Sequence, residues 1–192
     1  GKLYAKFDEY IPTIAEVMAM EEGVETKISG VVNWVRKNNV FIQDNTGGFL
    51  LYGSDLAPEV GTKIIAKGKR GAFNGSPQLS GTVIEATEAA TLYAPANLTL
   101  ADLFADTTAL KYFGQRVQVL GVKVAEYDSH GNVYLTDGTH KIKGHYMVPD
   151  QAVFTVGKKV DIVAVASQYQ GTVQFEGDVA GLTVTVIGLK DP

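Results

Sequence analysis

The chain writes one pattern twice within its 192 residues. Pro12-Thr13-Ile14-Ala15-Glu16-Val17-Met18 recurs as Leu98-Thr99-Leu100-Ala101-Asp102-Leu103-Phe104. Ile28-Ser29-Gly30-Val31-Val32 matches Val119-Leu120-Gly121-Val122-Lys123, and Asn39-Val40-Phe41-Ile42-Gln43-Asp44 matches Asn132-Val133-Tyr134-Leu135-Thr136-Asp137. Val60-Gly61-Thr62-Lys63-Ile64 then pairs with Val156-Gly157-Lys158-Lys159-Val160. Without a gap, Phe73, Gly75, Gln78, Leu79 and Gly81 follow on to Tyr169, Gly171, Gln174, Phe175 and Gly177. Matches that recur in the same order mark a tandem duplication, so any fold assigned must fit into the chain twice. The expected units are 1–93 and 94–192, joined through the Ala- and Pro-containing stretch 88–97.

Each unit opens on Thr-x-x-acid, a helix start in which hydroxyl and carboxylate satisfy free backbone N–H groups. Apolar residues follow at i, i+3 and i+4: Ile14, Val17 and Met18, then Leu100, Leu103 and Phe104. Beyond the helix, alternating apolar residues predict strands over 25–35, 39–44, 48–52, 62–70 and 78–86. Turns fall at Lys37-Asn38, 45–48, 58–61 and 74–77, each with Gly, Asn or Pro. Short strands at this spacing suit a small closed barrel. The expected fold is all-β, two tandem five-stranded barrels, each preceded by a short helix.

These residues resemble an OB-fold. The variety is marked by Gly30-Val31-Val32, Val40-Phe41-Ile42-Gln43-Asp44, Thr46-Gly47-Gly48, Val60-Gly61 and Phe73-Asn74-Gly75 with Pro77-Gln78-Leu79. The pattern is similar to OB domains of secreted nucleases and of envelope lipoproteins in Bacteroidetes-like bacteria. Thr13-Ile14-Ala15-Glu16-Val17 resembles the lead-in of the lipoprotein kind. The resemblance covers most of the first unit and, more loosely, the second. It implies the barrel fold, with ligands that range over oligonucleotides, oligosaccharides and proteins.

A net charge of −4 argues against general affinity for phosphate polymers, which rests on cation excess. The charge is segregated, however. Between Val24 and Gly81 seven cations (Lys27, Arg36, Lys37, Lys63, Lys67, Lys69, Arg70) meet four carboxylates (Glu25, Asp44, Asp55, Glu59), a local excess of +3. Lys67, Lys69 and Arg70 lead into Phe73 and the fourth loop, while Trp34, Arg36 and Lys37 form the first. In an OB barrel these loops flank the ligand groove. Period-2 alternation sends Val40 and Ile42 into the barrel and Phe41 and Gln43 outward. Phe41 either stacks a base or lies beneath the leading helix or the second barrel. Trp34, Arg36 and Lys37 either grip a polyanion or form a solvated hairpin with a packed ring. The expected nucleic-acid site is therefore Trp34, Arg36, Lys37, Phe41, Gln43, Tyr52, Lys67, Lys69, Arg70 and Phe73.

The second unit lacks both basic clusters: Lys67, Lys69 and Arg70 become Val163, Val165 and Ala166. It is either a structural partner or binds an uncharged ligand through Tyr127, Tyr134, Tyr146 and Tyr169. His140 and His145 stand five apart, on opposite faces of a strand, and with His130 they form no metal pattern. With no cysteine, thiolate metal sites, disulfides and cysteine nucleophiles are excluded together. No nucleophile elbow, Walker loop or dinucleotide fingerprint is present. Asp44 and Asp137 repeat at equivalent turns, which assigns them to backbone hydrogen bonding. The expectation is a non-enzymatic protein without metal or cofactor. Its first barrel binds single-stranded nucleic acid with low sequence specificity. The alternative is an extracytoplasmic lipoprotein scaffold for a protein or glycan partner. The start at Gly1 without Met and the lead-in point to a cell-envelope or secreted setting, with any lipid anchor upstream. No run of about 18 apolar residues offers a transmembrane helix.

Overall fold

The computed structural model describes residues 9–147, 154–177 and 183–187, the last for their backbone alone; Gly1 lies outside them. The chain divides into two compact units, Gly1–Ala94 and Pro95–Pro192.

In the first unit α1 (Ile14–Met18) precedes β1 (Glu25–Arg36), β2 (Asn39–Asp44), β3 (Gly47–Tyr52), β4 (Thr62–Phe73) and β5 (Ser76–Ala89). The strands close into a barrel in the order β1-β2-β3-β5-β4, with β1 antiparallel to β4 and β3 parallel to β5. This is the OB-fold topology that the sequence predicts. Strands β4 and β5 run three and two residues further toward each other than expected. Their hairpin turns on Asn74 and Gly75 alone, at φ 50° and 82°, the two-residue turn whose twist suits a hairpin.

A five-residue helix cannot hold itself in water. Thr13 accepts from the Glu16 N–H at 3.2 Å, but Glu16 accepts from the Tyr10 hydroxyl instead of completing a capping box. The β2–β3 turn supplies the remaining acceptors. Asp44 Oδ2 takes the Ile14 N–H and Thr46 Oγ1 the Ala15 N–H, both at 2.9 Å. So anchored, α1 buries Ile14 and Val17 with Ile28, Val32, Val40, Ile42, Phe49, Leu51, Ile64 and Leu79.

The second unit repeats the plan: β6 (Ala96–Asn97), α2 (Leu100–Ala105), β7 (Arg116–Tyr127), β8 (Val133–Thr136), β9 (Lys141–His145), β10 (Lys159–Tyr169), β11 (Thr172–Glu176) and β12 (Thr183–Ile187). Here Thr99 and Asp102 form the full capping box. Pairings β7-β8-β9-β11-β10 close through β10–β7, with β9 parallel to β11 as β3 is to β5. Tyr169 pairs with Thr172 as Phe73 pairs with Ser76. Strands β11 and β12 both lie against β10, so together they occupy the place of β5. This unit has its own core, including Leu103, Val124, Leu135, Ile142, Ile162 and Phe175.

Candidate nucleic-acid interface

The outer face of β1-β2-β3 is set by register. A bulge between Val32 and Trp34 carries Trp34 off the core face, placing it opposite Phe41. Phe41 lies opposite Leu50 of β3, so Trp34, Phe41 and Leu50 form one row. The next row is Arg36, Asn39 and Tyr52.

Phe41 and Gln43 leave the core face as alternation predicts, but they are not presented to solvent. Phe41 is 3% exposed and Trp34 4%, their ring centroids 5.2 Å apart. Gln43 is buried and accepts from Asn33 Nδ2 at 3.2 Å. Of the two alternatives that the sequence leaves open for Trp34 and Phe41, the structure shows the packed one, and Gln43, which alternation sends outward, is buried beside them.

Arg70 is engaged within the first unit. Its Nε donates to the Val17 carbonyl at 3.2 Å and Nη2 to that of Met18 at 3.1 Å; Nη1 donates to Gly71. The guanidinium also sits 5.6 Å from the Phe49 ring centroid, and burial lowers its pKa from the usual arginine value. These bonds cap the last turn of α1 and engage the guanidinium with backbone carbonyls.

The lysines carry carboxylate partners. Lys27 lies 2.9 Å from Glu9 and 3.4 Å from Glu85, and Lys67 lies 3.4 Å from the other Glu85 oxygen. Lys69 lies 3.7 Å from Glu25, and Lys63 3.9 Å from Glu88. Partial burial pushes the Glu85 carboxyl up, but Lys67 and Lys27 outweigh it and hold the group below the usual range. Glu85 and Glu88 fall past Gly81 in sequence yet share the sheet with β4. Counting them, seven cations face six carboxylates, and +3 becomes +1. The Lys69–Glu25 pair is solvent-accessible on both sides and individually weak, so Lys69 can exchange partners at little cost, whereas Lys67 shares the partly buried Glu85 with Lys27.

Besides the exposed but ion-paired Lys67 and Lys69, three predicted residues stand open. Lys37 is exposed at the β1–β2 turn, at φ 52°, with no ion pair among the described residues. Tyr52 is 45% exposed and Phe73, at the β4–β5 tip, 66%. Arg36 is half-buried at the base of the first hairpin.

In the second unit Asp128, not a basic cluster, organises the first hairpin. It accepts from the His130 and Asn132 N–H groups, from Asn132 Nδ2 at 2.8 Å and from the Tyr134 hydroxyl at 3.2 Å. The Asn132 amide, above all, holds its pKa down to about 2. Asp137 accepts from the His140 and Thr139 N–H groups and is likewise lowered to about 2. Asp44 does the same for Thr46 and Gly47, so both repeated aspartates are turn residues. His130 is exposed, and His140 packs its ring on Phe104 at 5.4 Å.

One polar cluster went unread in the sequence. Glu176, 6% exposed, accepts from Ser167 Oγ at 2.7 Å and Gln174 Nε2 at 3.0 Å, and faces His145 Nδ1 at 2.9 Å. Ser167 donates to the glutamate rather than to the histidine. The nucleophile–base contact of a hydrolytic triad is therefore not made by this trio. Only the parallel β9–β11 register brings His145 opposite Glu176, a pairing 31 residues apart.

No family model matches the sequence, and no curated protein matches it. Among solved structures the chain is similar to a murine DNA-binding protein bound with double-stranded DNA (12% identity, 86% of this chain and 97% of that chain, TM-score 0.38). It is also similar to the p204 HINb domain (12%, 88% and 100%, TM-score 0.40). A third is a replication protein A heterotrimer bound to single-stranded DNA (9%, 93% and 69%, TM-score 0.31). Likeness at this level assigns no ligand to the chain.

Proposed function

We propose that the chain acts by binding rather than catalysis, and that its first barrel is a weak, sequence-tolerant surface for single-stranded nucleic acid. One juxtaposition supports this reading. The exposed Tyr52 ring lies in register with Asn39, which stands opposite Arg36 and directly follows the turn bearing Lys37. A ring beside cations suits a strand, since the ring stacks any base and an ammonium meets the phosphate. Phe73 offers a second exposed ring on the β4–β5 hairpin. Trp34 and Phe41 support the platform from beneath the surface instead of touching ligand.

The test is a titration of a labelled single-stranded oligonucleotide at low salt against variants. Tyr52→Ala should weaken binding about 5- to 150-fold, the range of one base stack. Lys37→Ala should reduce the salt slope by about 0.7, the value for one phosphate on a single strand. Lys67→Ala with Lys69→Ala should cost less per charge, because each lysine first leaves a carboxylate. Unchanged affinity in Tyr52→Ala would overturn the assignment of this row.

The reading extends to an extracytoplasmic setting on the strength of the lipoprotein-like Thr13–Val17 lead-in. Fractionation of the native cells should place the protein in the envelope or medium; a purely cytosolic pool would contradict it.

A further inference from the structure

A cleft of about 300 Å³ opens on the outer face of the second barrel, where β9 runs beside β11. Lys143, Tyr169, Gln170, Thr172, Val173 and Gln174 line it. Tyr169 is 47% exposed, and Lys143 Nζ lies 5.5 Å from its ring centroid. Lys141, on the same face of β9, is tied to Glu126 at 2.8 Å, whereas Lys143 has no ion pair among the described residues. The back of the cleft is preorganised. Glu176 can only accept, so it holds the Gln174 amide with its NH₂ inward and leaves Oε1 as an open acceptor. Gln170 and Thr172 add an amide and a hydroxyl.

An open ring, an ammonium with no carboxylate partner among the described residues, and two carboxamides are the groups that hold a sugar bearing a carboxylate. The tyrosine face packs against ring C–H groups, the ammonium takes the carboxylate, and the amides pair with hydroxyls. The surroundings disfavour a phosphate polymer. Tyr134, in register with Lys143, donates to Asp128 and stands opposite Glu126. Successive phosphates would meet those carboxylates, while a single acidic group meets only Lys143. The volume is at the lower end of small-molecule sites and accommodates one or two rings.

We infer that this cleft binds an acidic sugar of the uronic-acid type at the end of a glycan. The test uses the full chain and calorimetric or ligand-observed NMR titration with three probes: a glucuronate-terminated disaccharide, its glucose-terminated counterpart, and a mononucleotide. The acidic disaccharide should bind in the millimolar range, about tenfold more tightly than the neutral one, as one charge-assisted hydrogen bond would give. Lys143→Met should erase that preference, Tyr169→Ala should lose both sugars, and Tyr169→Phe should keep them. If Tyr169→Ala alters the circular dichroism, Lys143→Met and Tyr169→Phe carry the test. No binding of the acidic sugar at about 20 mM, an unchanged preference in Lys143→Met, or tighter binding of the mononucleotide by the Tyr52→Ala chain, whose first barrel has lost its stacking ring, would each overturn the inference. Tyr52→Ala in the first barrel should leave both sugar titrations unaltered, so failure here is distinguishable from failure of the nucleic-acid reading.

Discussion

Arg70 satisfies the carbonyls of Val17 and Met18 while lying over Phe49. Removing its head therefore unpicks the join between α1 and the barrel. Arg70→Met should destabilise the protein by about 1–2 kcal/mol in urea denaturation, the scale of a lost charged hydrogen-bonding group. It should leave the salt slope of oligonucleotide binding unchanged; a phosphate ligand would lower it. Asp128 and Asp137 make a second case. Their folded pKa values, about 2, lie below the unfolded value near 4, so each stabilises the fold above about pH 4 and loses that contribution as pH falls toward 2. Melting temperature followed from pH 5 to 2 should fall less steeply in Asp128→Asn with Asp137→Asn than in wild type. An identical fall would show that these carboxylates carry no acid sensitivity. The role of Asp137 was legible because it repeats Asp44 before turn residues; that of Asp128 was not, since it has no counterpart aspartate in the first unit. Nor was that of Arg70, since nothing local ties it to carbonyls 52 and 53 residues away.

At the level of elements, the β4–β5 hairpin decides the electrostatics of the first barrel. Folding the sequence at Asn74-Gly75 already brings β5 carboxylates alongside β4 lysines. Two irregularities, between Ile65 and Ala66 and between Lys67 and Lys69, then shift the register so that Glu88 stands opposite Lys63. Alternation alone does not encode such shifts, and the charge count that stopped at Gly81 missed its neutralising strand. Glu85→Gln releases Lys27 and Lys67 together. It should lower stability slightly and strengthen binding of a single-stranded oligonucleotide at low salt, by about two- to fivefold, with the gain vanishing at high salt. Weaker binding in Glu85→Gln would contradict a phosphate-facing role for these lysines. The same limit explains Trp34 and Phe41. Their outward direction follows from strand period and a bulge, whereas their burial depends on what lies over the strand, which alternation does not specify.

Over the whole chain, duplication made the architecture readable. Each unit repeats the capping threonine, the barrel order and the two-residue hairpin, from Phe73–Ser76 to Tyr169–Thr172. The two proposed binding surfaces lie at Lys37 and Tyr52 on one barrel and at Lys143 and Tyr169 on the other. Sequence pattern found the exposed side chains of the first set and named Tyr169, but the cleft joining Tyr169 to Lys143 required the parallel β9–β11 pairing. The central claim concerns the first barrel, and one titration tests it most directly. Fluorescence anisotropy of a labelled single-stranded oligonucleotide against the full chain, across about 20 to 200 mM salt, should give micromolar affinity at the low end. The log–log slope should lie between about −1.4 and −2.1, from Lys37 and one or two exchanging lysines. No binding below about 100 μM at the lowest salt would contradict the account.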